Sequence, residues 1–163
     1  DALPIFVTSV LLTMFTVRNK VSESTTGASE SQLASASIRY GVRNSTALSL
    51  QAQGAGQMLL ARVMTPTDTA GYQCVAWWYA PDNGGSIKVS YGTSSTNWPN
   101  TLDSAKWTLI EKGVTPTTGD SIFSLTASKL TLDFLSAGSA GSQTRIQTSD
   151  SSRALVSESS PCF

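Results

Sequence analysis

The sequence contains no histidine, so any chemistry in this chain would fall to carboxylates, hydroxyls, lysine amines, cysteine thiols and indoles. Without imidazole the commonest general base is missing, and with it the Ser-His-Asp triad and most zinc ligand sets. Beyond Glu30 the acids are scattered: Asp68, Asp82, Asp103, Glu111, Asp120, Asp133, Asp150 and Glu158. Glycosidase-like chemistry would need Asp133, in mid-strand, to face Glu111 across a sheet. Nothing in the spacing indicates that pairing, and a solvated face is the simpler reading. Asp82 with Asn83, and Asp120 after Thr118-Gly119, carry the oxygen donors of calcium loops. The same residue types are first explained as turn formers. Gly54-Ala-Gly56 and Gly138-Ser-Ala-Gly141 lie between expected strands, and the first lacks the lysine and helix of a phosphate loop. The expectation is a non-enzyme with no catalytic residues, no cofactor and no metal.

Indoles offer contact rather than reaction. Trp77, Trp78 and Tyr79 are consecutive, so in a regular strand at least one must leave the core face. Trp78 is therefore a contact candidate, together with Trp98 in Asn97-Trp98-Pro99-Asn100. The alternative is that each packs beneath a loop or a neighbouring strand. Asn44-Ser45-Thr46 is a formal N-glycosylation sequon, which makes Asn44 a glycosylation candidate in a secretory setting. Cys74 and Cys162 are the only cysteines. An even count in a hydroxyl-rich chain favours a disulfide over two free thiols. The bond would close a loop of about 90 residues and contribute roughly 4 to 5 kcal/mol in the chain-entropy model.

The elements that must hold these residues read as strands. Tyr72 to Tyr91, YQCVAWWYAPDNGGSIKVSY, is an apolar run, a turn cluster and a second alternating run, the pattern of a hairpin. Further strands are expected near Ala36–Val42, Thr46–Gln53, Met58–Met64, Trp107–Lys112, Ser121–Ala127, Leu130–Ser136, Thr144–Thr148 and Ala154–Ser157. Leu130, Leu132 and Phe134 alternate with Thr131, Asp133 and Leu135, as antiparallel sandwich strands require. The fold class is all-β: an antiparallel two-sheet sandwich of jelly-roll type with an N-terminal strand extension. Residues 1–21 form a long apolar strand, in its own sheet or donated to a neighbour; 22–37 form a polar linker, either a loop or a short Ala/Ser/Glu helix; 38–163 form the sandwich. Pro4 to Val17 spans fourteen residues, short of the roughly twenty that cross a bilayer as a helix. It is rich in β-branched residues, and Phe6, Val10 and Leu12 are its contact candidates. No transmembrane span is expected.

Composition narrows the setting. Ser and Thr together make 46 of 163 residues while charged residues make only 13%. Hydroxyls thus replace charge as surface polarity, a habit of secreted proteins, viral coats and extracellular filaments. Eleven basic residues balance eleven acidic ones and form no basic run, which excludes phosphate-backbone binding through this segment.

The ordered pieces Cys74-Val-Ala-Trp-Trp-Tyr79, Gly84-Gly85 with Ile87-Lys-Val89, Trp107, Leu132-Asp-Phe134, Gly138-Ser-Ala-Gly141 and Pro161-Cys162 are similar in sequence to the MAM domain. That extracellular jelly roll occurs in receptors, adhesion phosphatases and secreted proteases. The resemblance covers residues 40–163, and the family's amino-terminal cysteine pair is absent. Carbohydrate-binding jelly rolls of galactose-binding type look similar over Gln57 to Tyr91. Asp68-Thr-Ala-Gly-Tyr-Gln-Cys74 also resembles the tyrosine corner of an immunoglobulin domain, without its first cysteine.

The leading functional expectation is a non-enzymatic extracellular structural or adhesion module, secreted, on a surface or in a virion. It would act through contacts with other protein chains, copies of itself among them. The alternatives are a viral coat or filament subunit that uses strand donation, and a carbohydrate-binding jelly roll with a glycan partner.

Overall fold

A computed structural model of the chain describes residues 29–65, 71–92, 98–99, 105–138, 143–153 and 162–163. The expected N-terminal strand with Phe6, Val10 and Leu12, and the expected strand at Ala154–Ser157, lie outside the described residues. Helix α1 covers 29–43. It is followed by β1 (Ser45–Gln53), β2 (Gly56–Thr65), β3 (Gly71–Ala80), β4 (Ser86–Gly92), β5 (Thr108–Lys112), β6 (Val114–Pro116), β7 (Phe123–Thr126), β8 (Lys129–Ala137) and β9 (Gln143–Ser151).

Strands β1 to β5 pair in sequence order into one antiparallel sheet, a meander. In the second sheet β9 runs along β8 from Lys129 to Ala137. β6 and β7 must therefore share the opposite edge of β8 end to end, β6 against Phe134–Ser136 and β7 against Lys129–Leu132. The chain passes between sheets along β5 and β6, turning at Gly113 with φ +68°, a region that side-chain-bearing residues avoid. The all-β, two-sheet antiparallel sandwich is the fold that the sequence predicts. Its jelly-roll detail is refined: among the described residues the larger sheet is connected by successive neighbours rather than by Greek-key crossings.

The strand expected at Ala36–Val42 is helix instead. Ser31, Ala34, Ser35, Ile38, Gly41 and Val42 are buried at helical spacing, so the segment 22–37 read as a linker is helical from residue 29 onward. Small residues line this face because the helix lies close against the large sheet. A Cβ on Gly41 would stand 2.2 Å from the Trp77 ring.

Alternation sorts the large sheet into two faces. Leu59, Ala61, Val63, Val75, Trp77, Tyr79, Ile87 and Val89 point inward and share one core with Ile38 and Val42 of α1 and with Val114, Phe123, Leu130, Leu132 and Phe134 of the other sheet. Gln57 binds the sheets together as a substitute ladder rung: its Oε1 accepts from the backbone N–H groups of Ile122 and Phe123, and its Nε2 donates to the Phe123 carbonyl. On the opposite face Met58, Leu60, Ala76, Trp78 and Trp107 form a second cluster, against which Trp98 packs.

Candidate protein interface

Both faces of β3 are covered, and this settles where the aromatic trio lies. Trp77 and Tyr79 enter the main core, whereas Trp78 points the other way, only 6% exposed. It meets Trp107 edge to face at 5.4 Å between centroids. Trp78 is thus corrected from a surface contact to a packed side chain, because the segment carrying Trp107 closes over its strand face. Trp98 is half-buried and donates its indole N–H to the Cys162 carbonyl at 2.9 Å. Cys74 and Cys162 form a disulfide with Cα atoms 5.4 Å apart, which fastens the C-terminal residues to this face. Beside it the Arg62 guanidinium lies 4.0 Å from the Tyr72 ring centroid. A cleft of about 510 Å³ opens next to Trp78, lined by Asp82, Asn83, Lys88, Leu109 and Lys112 among others. Leu109 is exposed at its rim.

Asn44 closes α1: its Nδ2 donates to the Tyr40 carbonyl at 2.9 Å. The following Ser45 is fully buried with its hydroxyl on the Val42 carbonyl. Asp82, Asn83 and Gly84 form a short 3-10 turn, with Asn83 at φ 54°, the left-handed region that asparagine tolerates. Among the described residues no three histidine, cysteine or acidic side chains gather to hold a metal.

The acids separate rather than converge. Asp133 lies on the outer face of the second sheet, where Arg145 donates to both its oxygens at 3.0 and 2.7 Å. Thr117 adds a third bond, and these hydrogen bonds hold the carboxyl below its usual range. Glu111 points inward between three elements. Its Oε1 accepts from Ser31 of α1 at 3.1 Å and from Ser136 of β8 at 2.6 Å. Its buried Oε2 has no partner among the described residues. Burial pushes its carboxyl up, and the two serine bonds only partly oppose that. Asp150, on β9, is the third. Burial disfavours its charge, but bonds from Arg39 Nε at 2.5 Å and Arg43 Nε at 2.6 Å outweigh this and hold it low. Glu111 and Asp133 therefore do not form a catalytic pair: Glu111, on β5 of the large sheet, meets the inner face of the second sheet at Ser136, whereas Asp133 lies on that sheet's outer face.

The feature that residue patterns missed is the edge formed by β9. The strand is nine residues long and pairs with β8 without a bulge. Its second edge meets no strand among the described residues. Its sequence, QTRIQTSDS, has neither proline nor lysine, two common guards of a strand edge. Its two charges are spent within the molecule, Arg145 on Asp133 and Asp150 on Arg39 and Arg43. Thr144, Ile146 and Thr148 face inward, half-buried, while Gln143, Arg145, Gln147 and Ser149 face out. The signal was present as alternation, but a polar strand gives no hint of which neighbours it lacks.

No protein-family model, curated protein or solved structure matches the chain.

Proposed function

We propose that this chain is a non-enzymatic structural module that works through protein–protein contact and assembles by strand addition at the open edge of β9. The observation that carries the reading is that edge: regular, nine residues long, and with its charges neutralised internally. An edge of this kind presents about 30 Å of backbone donors and acceptors to an incoming strand. The incoming strand comes from another copy, and the apolar, β-branched segment Pro4 to Val17 has the length and composition for it. The setting is extracellular. A disulfide persists in oxidising compartments, and the hydroxyl-rich composition agrees with that placement.

Amide hydrogen exchange on the full chain tests the reading. The β9 amides that face away from β8 should gain protection as protein concentration rises. Thr148→Lys, which sets an inward-pointing charge on the edge, should abolish that gain while leaving the melting temperature near that of the parent. Exchange on β9 that is independent of concentration would refute the proposal.

A further inference from the structure

A second concave site, of different chemistry, lies at the end of α1. Ala36, Arg39, Tyr40, Arg43, Asn44 and Arg153 line a cleft of about 320 Å³. Arg39 and Arg43 stand four residues apart on one helix face and reach the same carboxylate, each through Nε. Spending Nε on Asp150 fixes the plane of each guanidinium and leaves its Nη groups for another acceptor. Both side chains are about two-fifths exposed, at 42% and 41%. Arg153 is brought alongside by its own backbone N–H, which donates to the Arg43 carbonyl at 3.2 Å. Its exposed guanidinium has no ion pair among the described residues.

The charges do not balance. Among the described residues the lining carries three arginines, of which Arg39 and Arg43 share the single carboxylate of Asp150, and the negative end of the helix dipole offsets only about half a charge more. A positive excess thus remains in a concavity of a chain whose net charge is zero. Asp150 accounts for the placement of Arg39 and Arg43, and no ion pair among the described residues accounts for Arg153. Two neutral groups complete the lining. Tyr40 is 61% exposed and offers an aromatic face. Asn44 commits its Nδ2 to the Tyr40 carbonyl, which leaves its side-chain oxygen able to accept. The volume is at the small end for ligand sites, room for one ring rather than a polymer.

We propose that this cleft binds the acid group of an anionic sugar. Arg153 and the Nη groups of Arg39 and Arg43 hold the carboxylate or sulfate, Tyr40 covers the ring, and Asn44 accepts from a hydroxyl. The site is distinct from the β9 edge, and either proposal stands without the other.

Calorimetric titration of the full chain at low salt with glucuronate, glucose, inorganic sulfate and a phosphoserine peptide tests it. Glucuronate should bind at least ten times more tightly than glucose, and more tightly than sulfate or the peptide. Arg153→Ala, and Arg153→Gln with its longer stem, should each weaken glucuronate at least tenfold. Tyr40→Ala should lower glucuronate to the level of sulfate and leave sulfate unchanged. Both residues are exposed and neither touches Asp150, so an unchanged melting curve verifies the fold. Absence of glucuronate binding, equal binding by the Arg153 variants, or preference for sulfate or the phosphopeptide would each overturn the assignment.

Discussion

Near its first described turn α1 is joined to Glu111 through Ser31, and near its last to Asp150 through Arg39 and Arg43. Both carboxylates are buried, 4% and 8% exposed, yet their titrations are displaced in opposite directions. At Asp150 two cations and two charge-assisted hydrogen bonds more than offset the loss of water. At Glu111 the partners are neutral hydroxyls, and one oxygen has no partner among the described residues, so desolvation prevails. The lesson is that a hydroxyl-rich protein can satisfy a buried acid's geometry without compensating its charge. The two ends of one helix then respond to pH in opposite senses. Asp150, held below the ordinary 3.8, stabilises the fold above that pH, and its contribution is lost as pH falls through the lowered value. Glu111, raised above the ordinary 4.5, favours the fold fully below that pH, and this is lost as pH rises through the raised value.

Four substitutions break or sharpen this contrast. The largest effect is expected from Cys74→Ala with Cys162→Ala on the far face of the large sheet. Opening a loop with a sequence separation of 88 should remove roughly 4 kcal/mol from the urea-unfolding free energy. NMR titration of the folded variant should find both carboxyls unmoved, which would show the helix anchors to be independent of that face. Next, Gly41→Ala presses a methyl into Trp77 at the middle of α1. It should cost about 3 kcal/mol despite better helix propensity and raise amide exchange along the helix. Asp150→Asn leaves two half-exposed arginines without their anion, at a cost of about 2 kcal/mol at pH 7. That cost should shrink towards pH 2 in thermal melts. The smallest change has the opposite sign. Glu111→Gln should stabilise by about 1 kcal/mol at pH 8 and by nothing at pH 4, flattening the alkaline side of the stability profile. A destabilised Glu111→Gln at pH 8 would mean that the carboxylate is better compensated than its neutral partners allow.

Legibility in the sequence followed side-chain size. The strands around Met58, Trp77, Val89 and Leu132 announce themselves through large apolar residues, and the structure has strands at these places. The disulfide was readable from two cysteines in a chain of this composition. A short helix within 22–37 is one of two readings of the sequence, but the continuation of α1 to residue 43 reads as strand, because its buried stripe is mostly serine, alanine and glycine and only Ile38 and Val42 mark the helical period. Trp78 was misplaced because a strand pattern shows which residues share a face, not whether a loop closes over it. Glu111 read as part of a solvated face and Asp150 as one more scattered acid, because their partners Ser31 and Arg39 on α1 lie 80 and 111 residues away in the chain. The arginine cleft was invisible for the same reason, since Arg153 meets Arg43 only through the fold. The β9 edge follows from topology, which composition does not encode.

Sedimentation velocity of the full chain over a hundredfold range of concentration addresses the assembly claim most directly. The parent should shift from monomer to defined multiples as concentration rises, and Thr148→Lys should sediment as a monomer throughout. A parent that stays monomeric across the range, or a variant that assembles as readily, would contradict it.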